Sequence, residues 1–175
     1  MEVWQIGDSQ PAPKFQVICS PNDWAKTIKE TLSDTKLSAT NLLQLDYWTE
    51  FNDYMSPNTW FKSKKPRPQH WYDIAIGNSK AYISLTVSFT QNHISCELYI
   101  PDNKELFESL NNEKTTIEKE IGLNLNWDGL PNAKASRISL RKPVPQVKNK
   151  GNWKGCFNWY ADLAKKFEDV FPNYF

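Results

Sequence analysis

Two stretches of this 175-residue chain carry cations and aromatic rings without a single carboxylate. From Gly129 to Ala161 the cations are Lys134, Arg137, Arg141, Lys142, Lys148, Lys150 and Lys154, and Trp153 and Trp159 close the run. From Tyr54 to Tyr72 they are Lys62, Lys64, Lys65 and Arg67, beside Trp60, His70 and Trp71. The two stretches hold eleven of the 21 Lys and Arg residues, so positive charge is concentrated although the net charge is only +1. Lys and Arg neutralise phosphates and release counterions, while flat rings stack on unpaired bases. That pairing of residue types is the chemistry of gripping a polyanion. Two blander readings compete. Lys-rich loops are often simply solvated. Alternatively, the cations meet the acidic first third, where residues 1–53 hold eight acids against four bases, in the same chain or in a second copy.

Catalytic patterns are weaker. A hydrolytic nucleophile needs a base, and the histidines are His70, at a strand start, and His93, in an expected surface turn. No Ser or Cys lies in a nucleophile elbow. Asp34-Thr35-Lys36 and Asp102-Asn103-Lys104 place an acid two residues before a Lys, as metal-dependent nucleases do, but Asp102 also reads as a helix cap. The six glycines form neither GxGxxG nor GxxxxGK. Cys19, Cys96 and Cys156 lack the spacing of a metal site and are expected as buried free thiols. No catalytic residue, metal ligand or cofactor is therefore assigned. The candidate nucleic-acid contacts are Lys62, Lys64, Lys65, Arg67, Trp71, Arg141, Lys142, Lys148, Lys150 and Lys154, with Trp60 and Trp153 as further rings for stacking.

A near-neutral chain lacks strong attraction for polyanions over its whole surface, so binding must be local. The absence of both a signal-like start and a run of about eighteen apolar residues points to a cytoplasmic protein without a membrane partner. The length suits one buried core.

Periodicity places the elements that must position these side chains. Glu2–Ile6 alternates like a short strand, and Pro11-Ala12-Pro13 reads as a linker before a second extended segment at Phe15–Cys19. Residues 1–19 are thus an extended segment and linker, or the tail of an upstream domain, and 20–175 form one domain. Ser20-Pro21 opens a helix containing Trp24, Ile28 and Leu32. Leu43, Tyr47, Trp48, Phe51 and Tyr54 mark a second helix over Thr40–Tyr54. Lys62–Pro68 is an exposed loop. Trp71–Ile76, Ala81–Phe89 and Ile94–Ile100 follow as an antiparallel meander, with Ile94, Cys96, Leu98 and Ile100 on one face. One helix is expected over Asp102–Gly122, and its Glu-rich face reads as solvated. Two short strands flank the Asp128–Pro131 turn, and Trp153 to Val170 traces a terminal helix. The fold class is α+β: a mostly antiparallel sheet of about five strands with helices packed on one face.

The ordered blocks His70-Trp71-Tyr72-Asp73-Ile74-Ala75-Ile76-Gly77, Glu97-Leu98-Tyr99-Ile100, Lys114 to Glu120, Leu125-Asn126-Trp127, Leu130-Pro131 and Lys134-Ala135-Ser136-Arg137-Ile138 resemble domain-of-unknown-function family 4268. The Trp153–Phe171 helix resembles its C-terminal part. The resemblance spans about residues 35–172. It implies a bacterial or archaeal protein and, in many members, an upstream domain resembling PD-(D/E)XK nucleases, to which residues 2–15 look like the join. No Pro-Asp followed by Glu-x-Lys at suitable separation is present, so nuclease activity does not carry over. Lys134 and Arg137 fall inside a family block and are expected to serve the fold. The expected function is a non-catalytic accessory module of a bacterial nuclease or defence-type system that binds nucleic acid through basic loops. Its partners would be nucleic acid and an upstream or separate nuclease domain. The alternative is a protein-interaction or homodimerisation module.

Overall fold

In a computed structural model of the chain, the described residues are 37–175 together with two strands, Glu2–Trp4 (β1) and Ala12–Lys14 (β2). The chain divides into two units, Met1–Leu37 and Ser38–Phe175. In the first, β1 and β2 pair antiparallel, with Val3 opposite Pro13. The expected strand at Glu2–Ile6 is therefore present over three residues, and Ala12-Pro13, read above as linker, belongs to its partner. Proline has no N–H for a ladder but is tolerated in edge strands. The helix expected after Ser20-Pro21 and the segment Phe15–Cys19 lie outside the described residues.

The second unit is a five-stranded antiparallel sheet with four helices among the described residues. Its strands are β3 (Trp71–Ala75), β4 (Tyr82–Ser88), β5 (His93–Ile100), β6 (Asn126–Asp128) and β7 (Ser136–Pro143), in the order β3-β4-β5-β7-β6. The helices are α1 (Ala39–Met55), α2 (Lys104–Asn112), α3 (Lys114–Ile121) and α4 (Trp153–Val170). The meander forms as expected. Gly77 turns the chain between β3 and β4 at φ +74°, a conformation that penalises any Cβ.

Successive strand side chains point to opposite faces. Ile83, Leu85 and Val87 of β4 and Ile94, Cys96, Leu98 and Ile100 of β5 are therefore buried together, beneath α1 and α4. The core is built mostly of rings. Tyr47 of α1 meets Trp48, Trp153 and Phe157 at centroid distances of 4.9, 5.1 and 5.0 Å, in edge-to-face arrangements. Tyr160 Oη of α4 donates to the Thr86 carbonyl at 2.6 Å and ties the helix to β4. Cys96 and Cys156 are free and buried, as expected; Cys19 lies outside the described residues.

The helix expected over Asp102–Gly122 is two helices. They meet at Glu113, whose φ and ψ of −96° and 11° leave the helical region. Asn111 and Asn112 precede the break, and asparagine side chains compete with the helical backbone for hydrogen bonds. Asn103, not Asp102, caps the first helix, its Oδ1 accepting from Leu106 N at 2.9 Å. Gly122 ends the second at φ +74°, as expected.

Glu118 leaves the solvated role assigned to its face. Its Oε1 accepts from Leu125 N at 2.8 Å and Trp127 Nε1 at 3.0 Å, fastening the chain that enters β6. The Leu125 N–H bond holds its pKa below the ordinary carboxylate value. A depressed pKa adds stability above the unfolded-state value of about 4.3, and that stability is lost as pH falls through the folded-state value. Glu118→Gln is thus expected to lower stability by about 1 kcal/mol at neutral pH, since bonds to a charged acceptor exceed neutral ones. In urea titrations the gap between the two proteins should close on acidification below the carboxylate range. A gap that persists there would rule out the charged bond as its source.

Candidate functional site

The helices cover one face of the sheet, and the other carries its alternate residues into a cavity of about 700 Å³. Strand register sets their order. Trp71, Thr86, Ser95 and Arg141 lie in one transverse row, and Asp73, Ser84, Glu97 and Ser139 in the next. Tyr82, Tyr99 and Arg137 form a third. With strands about 4.8 Å apart, Trp71 on the edge strand and Arg141 on β7 stand on the order of 14 Å from each other, near opposite sides of this face.

The polar groups between them are only partly paired. Ser84 Oγ donates to Asp73 Oδ1 at 2.9 Å. Glu97, 8% exposed, has Arg137 Nε at 3.7 Å from its Oε2. Arg137 also lies over the Tyr99 ring, 5.5 Å from the centroid, and Tyr99 packs against Tyr82 at 5.3 Å. Burial, with the Arg141 guanidinium nearby, holds His93 below the ordinary histidine value, which leaves it neutral at pH 7. His93, expected as a turn residue, is the first residue of β5 and lines this face.

The basic loop borders the same face. A second cavity of about 450 Å³ is lined by Lys64, Lys65, Arg67, Trp71 and Asp73, so Trp71 and Asp73 belong to both. The loop backbone is held by α1 in three places. Asn52 Nδ2 donates to Lys64 O at 2.8 Å, Asn41 Nδ2 to Pro68 O at 2.9 Å, and Trp48 Nε1 to Gln69 O at 2.8 Å. Lys64 N in turn donates to Tyr72 Oη at 2.7 Å. Its side chains are therefore exposed from a fixed backbone, which lowers the ordering cost of binding. His70 stands edge-on to Trp71 at 4.7 Å.

The remaining candidates scatter. Lys62 is exposed on the basic loop. Lys142 follows Arg141 and so faces the other side of β7, where its Nζ sits 6.0 Å from the Trp159 ring of α4. Lys150 meets Asp46 and Glu50 of α1 at 3.1 and 2.8 Å and lies 4.9 Å from the Trp153 ring centroid. Lys148 and Lys154 are exposed, away from both cavities. Lys134 pairs with Asp102 at 3.6 Å. Trp153 cannot stack on a ligand, because it is 1% exposed and its Nε1 donates to Val147 O at 2.8 Å. Trp60 is half-buried, with Lys165 Nζ 5.9 Å from its ring. Among the three rings considered for stacking, Trp71, at 38% exposure, is the accessible one.

The Asp102-x-Lys104 pattern has a structural explanation. Lys104 Nζ donates to the carbonyls of Gly129, Leu130 and Ala135 and to Ser136 Oγ, closing the turn between β6 and β7. Asp34 and Lys36 lie outside the described residues. Among the described residues no group of three His, Cys, Asp or Glu side chains is placed to hold a metal ion. No described helix is long and apolar enough to cross a membrane.

Asp73, Ser84, Glu97, Tyr82 and Tyr99 were not singled out from the sequence, and Arg137 was assigned to the fold. The signal was available: alternation that buries Ile94, Cys96, Leu98 and Ile100 must turn His93, Ser95, Glu97 and Tyr99 the other way.

No curated protein and no solved structure matches the chain. A family model, described as Domain of unknown function (DUF4268), matches residues 43–175, which include the whole five-stranded sheet, the smaller cavity and all of the larger cavity's lining but Thr40. The chain belongs to this family.

Proposed function

We propose that the domain binds single-stranded nucleic acid across the cavity-lined face of its sheet, as the non-catalytic module of a bacterial nuclease or defence-type system acting in the cytoplasm. Trp71 carries the reading. It is an exposed ring on an edge strand, shared between a cavity walled by Lys64, Lys65 and Arg67 and one that also contains Arg141. A ring can stack only on a base that is not already stacked, which favours single strands over duplex. The accessory role draws its support from the family resemblance. Self-association receives less support, because Lys150 already meets acids of its own chain.

Fluorescence anisotropy with short labelled DNA and RNA strands, across a range of salt, tests the reading. Three or four phosphate contacts give a slope of log affinity against log salt of about −2 to −3. Replacing Lys64, Lys65 and Arg67 together by Glu should abolish the binding without unfolding the protein. Failure to retain either DNA or RNA at low salt would overturn the proposal.

A further inference from the structure

Resting on the nucleic-acid reading, we infer that Glu97 selects the base: it takes a nucleobase that presents an exocyclic amine (cytosine, adenine or guanine) in preference to uracil or thymine. Glu97 stands on the central strand, on the floor of the larger cavity, with its side chain nine-tenths buried. Its oxygens are not sealed from the cavity, so a donor carried by a ligand can reach them. The described chain offers the carboxylate Arg137 at 3.7 Å, beyond hydrogen-bond distance, and no closer donor. The neighbouring Ser84 hydroxyl is already committed to Asp73 at 2.9 Å.

The distribution of charge over this face orients a strand. Arg141 and the Lys64–Arg67 loop supply cations toward its sides, while Asp73 and Glu97 supply negative charge between them. Phosphates are drawn to the cations and repelled from the carboxylates, so the bases turn inward. An inward base then meets a carboxylate acceptor beside the Arg137 guanidinium, a pure donor. Cytosine complements that pair, its N4 amine donating to Glu97 and its N3 or O2 accepting from Arg137. Adenine, through N6 and N1, and guanine, through its N2 amine and O6, can do likewise. Thymine and uracil can offer the carboxylate only N3–H, and the second keto oxygen beside that N–H is then held against the carboxylate and repelled by it. Carboxylates accept from base amines in the same way in groove readout.

Oligo(dC) and oligo(dT) of equal length test this, since both carry single-ring bases and the same phosphate charge. At slightly alkaline pH, where cytosine stays unprotonated, oligo(dC) is expected to bind wild type about tenfold tighter or more. Glu97→Gln, whose amide both donates and accepts, should bring the two affinities together while leaving the salt slope in place. Equal affinity of the two strands for wild type, with binding intact, overturns the role of Glu97 and leaves the nucleic-acid reading standing. A preference for dC that survives in Glu97→Gln also overturns it. If neither strand binds at low salt, the nucleic-acid reading falls and this inference with it. The wild-type comparison decides the matter even if the variant does not fold.

Discussion

Replacing Trp71 by alanine is expected to weaken single-strand binding about tenfold or more while barely changing the stability of the domain. Stacking of one base on an aromatic side chain contributes about 1–3 kcal/mol, and 1.4 kcal/mol is a factor of ten in affinity. The ring is available for that role because β3 is an edge strand and Trp71 is its first residue, with 38% of its surface exposed. Its packing is slight: His70 meets it edge-on, and its carbonyl accepts from Gln69 Nε2 at 3.0 Å, a bond that alanine preserves. An exposed substitution of this kind usually changes stability by less than about 0.5 kcal/mol. Anisotropy titration and a thermal melt on the same sample separate the two effects. Tyrosine at position 71 should restore most of the affinity if stacking is the cause. Unchanged affinity of the alanine variant would remove Trp71 from the site.

The same substitution at Trp153 should do the reverse. Trp153→Ala is expected to cost about 3–5 kcal/mol, the range for truncating a buried ring. That is a large part of the roughly 5–15 kcal/mol that holds a domain of this kind folded. The indole is 1% exposed, packs on Tyr47 and Phe157 at 5.1 and 6.4 Å, and donates to the Val147 carbonyl. Truncation leaves a cavity among the rings, a carbonyl without its donor, and Lys150 without the aromatic ring beside it. Urea denaturation followed by far-ultraviolet circular dichroism reads the loss directly as a lower midpoint. A midpoint within error of wild type would contradict the core placement. Trp153→Phe should recover part of the loss, because it keeps a ring but not the N–H.

These two tryptophans look alike in the sequence, each beside a run of cations, yet one is surface and the other core. Trp153 begins a helix whose inward face follows from its spacing with Phe157, Tyr160, Leu163 and Phe167. Its burial was legible from that stripe, and the cations nearby drew it into the wrong role. Trp71 is different. Alternation in β3 separates Trp71 and Asp73 from Tyr72 and Ile74, but it does not say which set meets the helices until the burial of Tyr72 and Ile74 is known. The break at Glu113 was harder to read, because Leu110, Ile117 and Ile121 satisfy a continuous helical stripe as well as two separate ones.

By itself the sequence determined the local periods: helices at 40–54 and 153–170, the strands of the meander, and the concentration of cations in two segments. Those follow from sterics and hydrophobic spacing within a few residues. Only the tertiary structure decided which cations share a surface. Arg141 and Lys142 are adjacent in the chain and occupy opposite faces of β7, one lining the larger cavity and the other beside Trp159. Arg141 joins the row of Trp71 because β7 pairs with β5 after a crossover through α2, α3 and β6. In that register Ile138 stands opposite Leu98 and is buried with it in the core, and a one-residue slip would turn it to the other face.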